Sequence, residues 1–144
     1  MEVFIANEQD ISIDEGRLSE LAQHLLTVEE MDATAELSVL FITEDHMRQL
    51  NAHYAGHDYA TDVLAFPMGE DDDGQLLLGD VVICPQIARQ NALERGRQVR
   101  EELDMLLVHG TLHLLGYDHG REEEKNEMDK RLWDVLGSFV RSDR

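Results

Sequence analysis

Between Val99 and Leu115 the sequence is apolar on almost every side of a helix, yet it carries two histidines on one face. Leu103, Leu106, Leu107 and Leu114 cover one side, and Met105, Val108, Leu112 and Leu115 cover much of another. A helix patterned in this way is central, with other elements packed around it. The chain has 144 residues, enough to bury such a helix without disulfide support. The reading is one domain, residues 1–144.

His109 and His113 are four apart, so on a helix they project one turn above the other. Gly116 ends that helix and lets the chain curl back, which brings His119 towards the same point from a loop. Three imidazoles converging on one point hold a zinc-type ion and leave a position open for water. A lone histidine on an apolar helix is more often a satisfied core residue. Here three of the seven histidines fall between positions 109 and 119, and two share a face. Burying both without a common partner would cost on the order of 1–3 kcal/mol for each unpaired group. The expected ligands are therefore His109, His113 and His119. The expected ion is one Zn2+, with Ni2+ or another divalent ion able to occupy the same nitrogens in vitro.

The spacing H-x-x-x-H-x-x-G-x-x-H is also that of the metzincin peptidases, whose motif begins H-E-x-x-H. Here Gly110 stands where those enzymes carry their general base. That counts against a peptidase of that design and leaves the metal site intact. Asp118, beside the third histidine, is a candidate acid/base; orienting the neighbouring imidazole is the role its position favours. The ligand set alone does not choose between a phosphoryl and an acyl substrate.

The rest of the chain reads as support for the central helix. Residues 2–6 form a strand, and Asp14 caps a helix with Leu18, Leu21, Ala22, Leu25 and Leu26 at helical spacing. Residues 36–43 form a strand covered on both faces. Thr43 caps a helix that Gly56 ends. Residues 61–67 and 76–84 form an antiparallel pair around the polar turn 70–74. The adjacent Asp71, Asp72 and Asp73 lack the alternating spacing of a calcium loop, so the turn is read as solvated. Pro85 opens a helix ending at Gly96. The last helix begins at Glu122–Glu124, which suits its N-terminal dipole, and packs through Met128, Leu132, Val135, Leu136 and Phe139. The order is β-α-β-α-β-β-α-α-α. It predicts an α/β fold with a four-stranded mixed sheet packed by about five helices, and the zinc site at the end of the buried central helix.

Twelve basic and 31 acidic residues leave a net charge of −19. A field of that sign favours solubility and, taken alone, repels nucleic acid. The single cysteine, Cys84, cannot form an internal disulfide. No apolar run is long enough to span a bilayer, and the first residues lack a secretory pattern; the expected compartment is the cytoplasm.

Three segments carry a resemblance to a known family: Thr61-Asp62-Val63-Leu64-Ala65-Phe66-Pro67, Leu78-Gly79-Asp80-Val81-Val82-Ile83, and the His109–His119 motif ending Leu-Gly-Tyr-Asp-His. In order and spacing they resemble the YbeY family of single-strand-specific endoribonucleases. The resemblance implies a zinc-dependent hydrolase with His109, His113 and His119 as ligands. It further implies single-stranded RNA, ribosomal RNA or ribosomal subunits as partners, in maturation of the 16S ribosomal RNA 3′ end and ribosome quality control. Two positions depart from the family pattern. Ala65 stands where serine is frequent, and Ala55 follows Tyr54 where many members carry an arginine thought to matter for cleavage. Loss of that guanidinium removes a phosphate clamp; His53, His57 or an arginine from another segment is left to replace it.

The densest basic segment is Arg89, Arg95, Arg97 and Arg100. Arg89, Arg97 and Arg100 are the RNA-contact candidates; pairing of this turn with Glu94, Glu101 and Glu102 is an equally good reading. No aromatic residue is interleaved with these arginines to suggest base stacking. Two further functions stay open: a zinc peptidase-like hydrolase on the same ligands, and a non-enzymatic ribosome-assembly factor with a structural metal.

Overall fold

The computed structural model describes residues 1–70, 73–118 and 120–142. Its elements in order are β1 (Glu2–Glu8), α1 (Glu15–Val28), β2 (Glu36–Ile42), α2 (Glu44–Ala55), β3 (Val63–Pro67), β4 (Leu77–Ile83), α3 (Pro85–Arg95), α4 (Val99–Leu114) and α5 (Glu122–Ser142). The α/β architecture read from the sequence is therefore correct, with four strands and five helices among the described residues.

Local chemistry sets most of these boundaries. The Asp14 carboxylate accepts from the Arg17 backbone N–H at 3.1 Å to cap α1, and Thr43 Oγ1 accepts from His46 N–H at 3.2 Å to cap α2. Pro85 occupies the first turn of α3, where its missing N–H costs nothing. The third strand starts at Val63, two residues later than its sequence pattern suggests. The preceding Asp62 leaves the ladder, although its carbonyl still accepts from Cys84 N–H at 2.9 Å.

The sheet order is β1-β2-β4-β3. β1, β2 and β4 run parallel, while β3 pairs antiparallel with β4 from Val63 opposite Ile83 to Pro67 opposite Gly79. The hairpin thus turns back outward, leaving β4 inside and β3 at the edge, where a proline at the strand end removes no interior ladder bond.

Side chains alternate between the two faces. Leu37, Val39 and Phe41 of β2, with Val81 and Ile83 of β4, join the larger core formed with α1, α4 and α5. Ile42 and Val82 point the other way, onto Met47 of α2 and Cys84. The central helix α4 packs against β3, β4, α1, α3 and α5, and Leu107, Val108 and Leu112 are buried there. It also carries buried charge that its apolar pattern hides: Glu102 and Asp104. No described helix is long and apolar enough to cross a membrane.

Candidate active site

The path of α4 over the sheet places the two histidines. A Cβ built on Gly110 would lie 2.7 Å from Val81 Cγ1 and 3.2 Å from Val63 Cγ2, so helix and sheet approach as closely as a bare backbone permits. The residue after His109 therefore faces β3 and β4. A glutamate there, as in the peptidase motif, would have to enter the packed core. The peptidase reading loses its base for a steric reason as well as a chemical one.

With Gly110 against the sheet, His109 and His113 stand beside the edge strand. Their ring centroids are 4.7 Å apart with an interplanar angle of 75°, and both residues are half-buried. They line a cavity of about 470 Å³ with Asp62, Val63 and Ala65. Asp62 is fixed at its mouth: one carboxylate oxygen accepts from Asn91 Nδ2 at 3.2 Å and the other from Thr61 Oγ1 at 3.4 Å. Sequence reasoning used Asp62 only as part of a motif. The available signal was a carboxylate held just outside an otherwise apolar edge strand.

α4 ends as expected at Gly116. Tyr117 N–H donates to Leu112 O and Gly116 N–H to His113 O, both at 3.1 Å, with Gly116 at φ +100°. This is a Schellman stop, which selects glycine at the residue with positive φ. The turn is then tied down on two sides. The Tyr117 hydroxyl donates towards Glu29, the C-cap of α1, with oxygens at 3.3 and 3.4 Å, and Arg131 Nε of α5 reaches the same carboxylate at 2.5 Å. Burial pushes the Tyr117 phenol up, and the Glu29 charge adds to the effect. Asp118 follows as an exposed residue bordering a separate recess with Gly116, Glu124 and Glu127. His119, the third imidazole of the sequence reading, lies outside the described residues.

The donor chemistry fits a zinc-type ion. Two imidazoles one turn apart are half-buried in a cavity that also holds a carboxylate. Among the described residues no three His, Cys, Asp or Glu side chains meet closely enough to hold a metal by themselves; of the three ligands expected from the sequence, His109 and His113 are described.

A second cavity, of about 370 Å³, opens on the other side of His109 and is lined also by Asp62, Arg95, Glu102, Asp129 and Trp133. Glu102 has no exposed surface. Arg95 Nη1 donates to its Oε1 at 2.5 Å, while Arg97 Nη1 lies 3.7 Å from Oε2. That second distance is an ion pair without a hydrogen bond, so Oε2 is left unsatisfied. Arg95 is thus an anchored, half-exposed guanidinium facing the cavity that reaches His109. His53 and His57 are exposed; His53 meets Tyr54 edge-to-face and His57 lies tilted against Tyr59.

Of the other arginine candidates, Arg97 and Arg100 line a third cavity with Trp133 and Phe139. Arg89 is exposed on α3 and borders none of these three cavities. No aromatic is interleaved with the arginines in sequence, but in space α5 brings Trp133 beside Arg97, with the guanidinium carbon 5.8 Å from the ring centroid. Thirty-six positions in sequence separate the two, so a linear scan for interleaving could not find the pair.

These observations place three sequence blocks at one point: β3 with its leading Asp62, Val81 of β4, and the two histidines of α4. The family model described as endoribonuclease YbeY matches residues 4–139. The chain belongs to the YbeY family. It is 42% identical over 99% of its length to the endoribonuclease YbeY of Frankia casuarinae, covering 77% of that protein. To the endoribonuclease YbeY of Thermobifida fusca it is 40% identical, with 99% and 96% of the two chains covered. A Thermotoga maritima protein solved in solution matches 97% of this chain and 93% of its own with a TM-score of 0.64 at 28% identity. Two of the YbeY blocks seen in the sequence thus line the histidine cavity, residues 61–67 and the helical part of the histidine motif, and the third packs against Gly110 through Val81.

Proposed function

We propose that this chain is a zinc-dependent, single-strand-specific endoribonuclease, a single metal-dependent hydrolase domain over residues 1–144. Its task is maturation of the 16S ribosomal RNA 3′ end and ribosome quality control in the cytoplasm, with ribosomal RNA or ribosomal subunits as partners. The observation that carries this reading is the pair of half-buried imidazoles beside Asp62 in one cavity, in a chain whose family members are named as endoribonucleases.

His109, His113 and His119 would hold the metal. Zinc, when held there, supplies Lewis acidity towards a phosphoryl oxygen. The chain's own groups do the remaining work. Asp62, fixed by Asn91 and Thr61, is placed to accept a proton at its carboxylate from the attacking hydroxyl. Arg95, fixed by Glu102, presents a guanidinium to a phosphate oxygen in the adjoining cavity and stands in for the arginine that Ala55 lacks. Asp118, on the turn clamped by Tyr117, Glu29 and Arg131, orients the imidazole next to it.

The test is cleavage of a single-stranded 16S 3′-end fragment by wild type and His113→Ala, with bound metal quantified in both. Cleavage and about one zinc per chain in the wild type, with both lost in the variant, are expected. An uncut fragment with metal-replete wild type, or identical cutting by His113→Ala, would refute the proposal. Retained rescue of ribosome maturation by a folded ligand variant would favour the assembly-factor reading.

A further inference from the structure

Trp133 is the only tryptophan of the chain, and it is 53% exposed on α5. Its ring offers a flat, mostly apolar face to solvent. Arg97 lies over it at 5.8 Å and is itself held from below, its Nη1 2.6 Å from the Met105 sulfur and 3.7 Å from Glu102. Beside them opens the cavity of about 310 Å³, within the size range of small-ligand sites. Leu136, Phe139 and Arg100 are among its lining residues. Trp133 and Met105 also line the cavity that reaches His109, so the two cavities are neighbours that share these side chains.

Basic residues are concentrated here: four of the chain's 12, Arg17, Arg95, Arg97 and Arg100, line the two cavities, beside five of its 31 acidic residues, Asp62, Glu101, Glu102, Asp104 and Asp129. Arg17 is engaged by Asp104, its Nη1 donating to both carboxylate oxygens at 2.8 and 2.6 Å, and Arg95 is held by Glu102 towards the His109 cavity. Arg97, ion-paired to Glu102 at 3.7 Å, and Arg100, which lines the cavity with Glu101 and Asp104, are the cations on the Trp133 side. A flat aromatic face, a guanidinium within cation–π distance of it and a second cation alongside are the parts that hold a nucleobase and its phosphates in single strands.

We infer that Trp133, with Arg97 and Arg100, forms a base-stacking subsite for single-stranded RNA, one step along the strand from the histidine cavity. This deepens the nuclease reading and rests on it. Trp133 is a positioning residue: it holds the strand so that a neighbouring phosphodiester lies by His109, and it touches no reacting atom.

The single tryptophan makes the test direct. Fluorescence of the full-length protein is followed on mixing with a short single-stranded RNA, the same RNA carrying abasic positions, inorganic polyphosphate and polyglutamate. Cleavage kinetics of Trp133→Ala and Trp133→Phe are measured alongside. We expect quenching by the intact RNA and by none of the other three probes. Trp133→Ala should raise KM roughly five- to a hundredfold with kcat nearly unchanged, the range expected for loss of one stacked base. Trp133→Phe should recover most of it. RNA that is cut normally without quenching, with an unchanged KM in Trp133→Ala, would overturn the subsite and leave the nuclease reading standing. Quenching by polyglutamate in preference to RNA would overturn it in favour of an acidic peptide. If RNA is neither bound nor cut, the subsite and the nuclease reading fall together.

Discussion

Gly110→Ala separates what a helix wants from what this fold requires. In an isolated helix the change adds stability, about 1 kcal/mol by propensity. Here the new methyl would sit 2.7 Å from Val81 Cγ1, 3.2 Å from Val63 Cγ2 and 3.4 Å from Val81 Cγ2. Val81 is β-branched, fully buried and set in an inner strand, so it cannot rotate aside cheaply. Relief must come from α4 lifting off the sheet, and overpacking of this kind typically costs about 1–3 kcal/mol. The net expectation is a loss of about 0–2 kcal/mol instead of the helix-propensity gain. Urea denaturation read by circular dichroism measures it. Val81→Ala vacates the space that the new methyl needs, so the double variant should be more stable than the two separate losses imply. The coupling expected in this double-mutant cycle is about 1 kcal/mol or more. A Gly110→Ala protein that gains the full 1 kcal/mol, with an additive cycle, would refute the close-packing argument. It would also reopen position 110 to a catalytic side chain.

Two further outcomes follow from the buried charges of α4. Arg95→Ala leaves the Glu102 carboxylate buried with Arg97 alone at 3.7 Å; the expected loss in denaturant titration is about 2–3 kcal/mol, below the 3–5 typical of a broken buried pair because Arg97 remains. Glu102→Gln together with Arg95→Ala should recover part of that loss. Burial raises the Asp104 carboxyl above its ordinary 3.8, even against the opposing bond from Arg17. A raised carboxyl contributes stability that is complete below pH about 3.8 and is lost as pH rises through the folded value. Asp104→Asn should therefore flatten the decline of stability just above that pH, and an unchanged profile would refute the assignment.

Much of this protein was legible one segment at a time. The capped starts of α1 and α2, the Schellman stop at Gly116, the antiparallel β3–β4 pair and the centrality of α4 all depend on near neighbours in sequence. Turn chemistry and periodicity report them directly. Glu102 was legible as a partner for the basic turn, but its burial and that of Asp104 were not. Their partners, Arg95 and Arg17, lie a turn or a whole element away, and only pairing makes a buried carboxylate tolerable. The site divided along the same line. His109 and His113 were visible because four residues make one helical turn. Asp62 and Trp133 were not, because their places depend on which strand takes the sheet edge and how α5 lies along α4.

The sequence by itself determined the helical pair of imidazoles, the glycine that ends their helix and the family to which they point. Tertiary structure alone decided what surrounds them. By setting β3 outside β4, the fold brings Asp62 and the edge strand up to the histidines. By pressing α4 onto Val81 and Val63, it makes Gly110 a packing contact. By laying α5 across the α3–α4 turn, it joins Arg97 to Trp133. Each of these is a contact between distant segments, fixed by steric closeness and buried charge, quantities that no local pattern encodes.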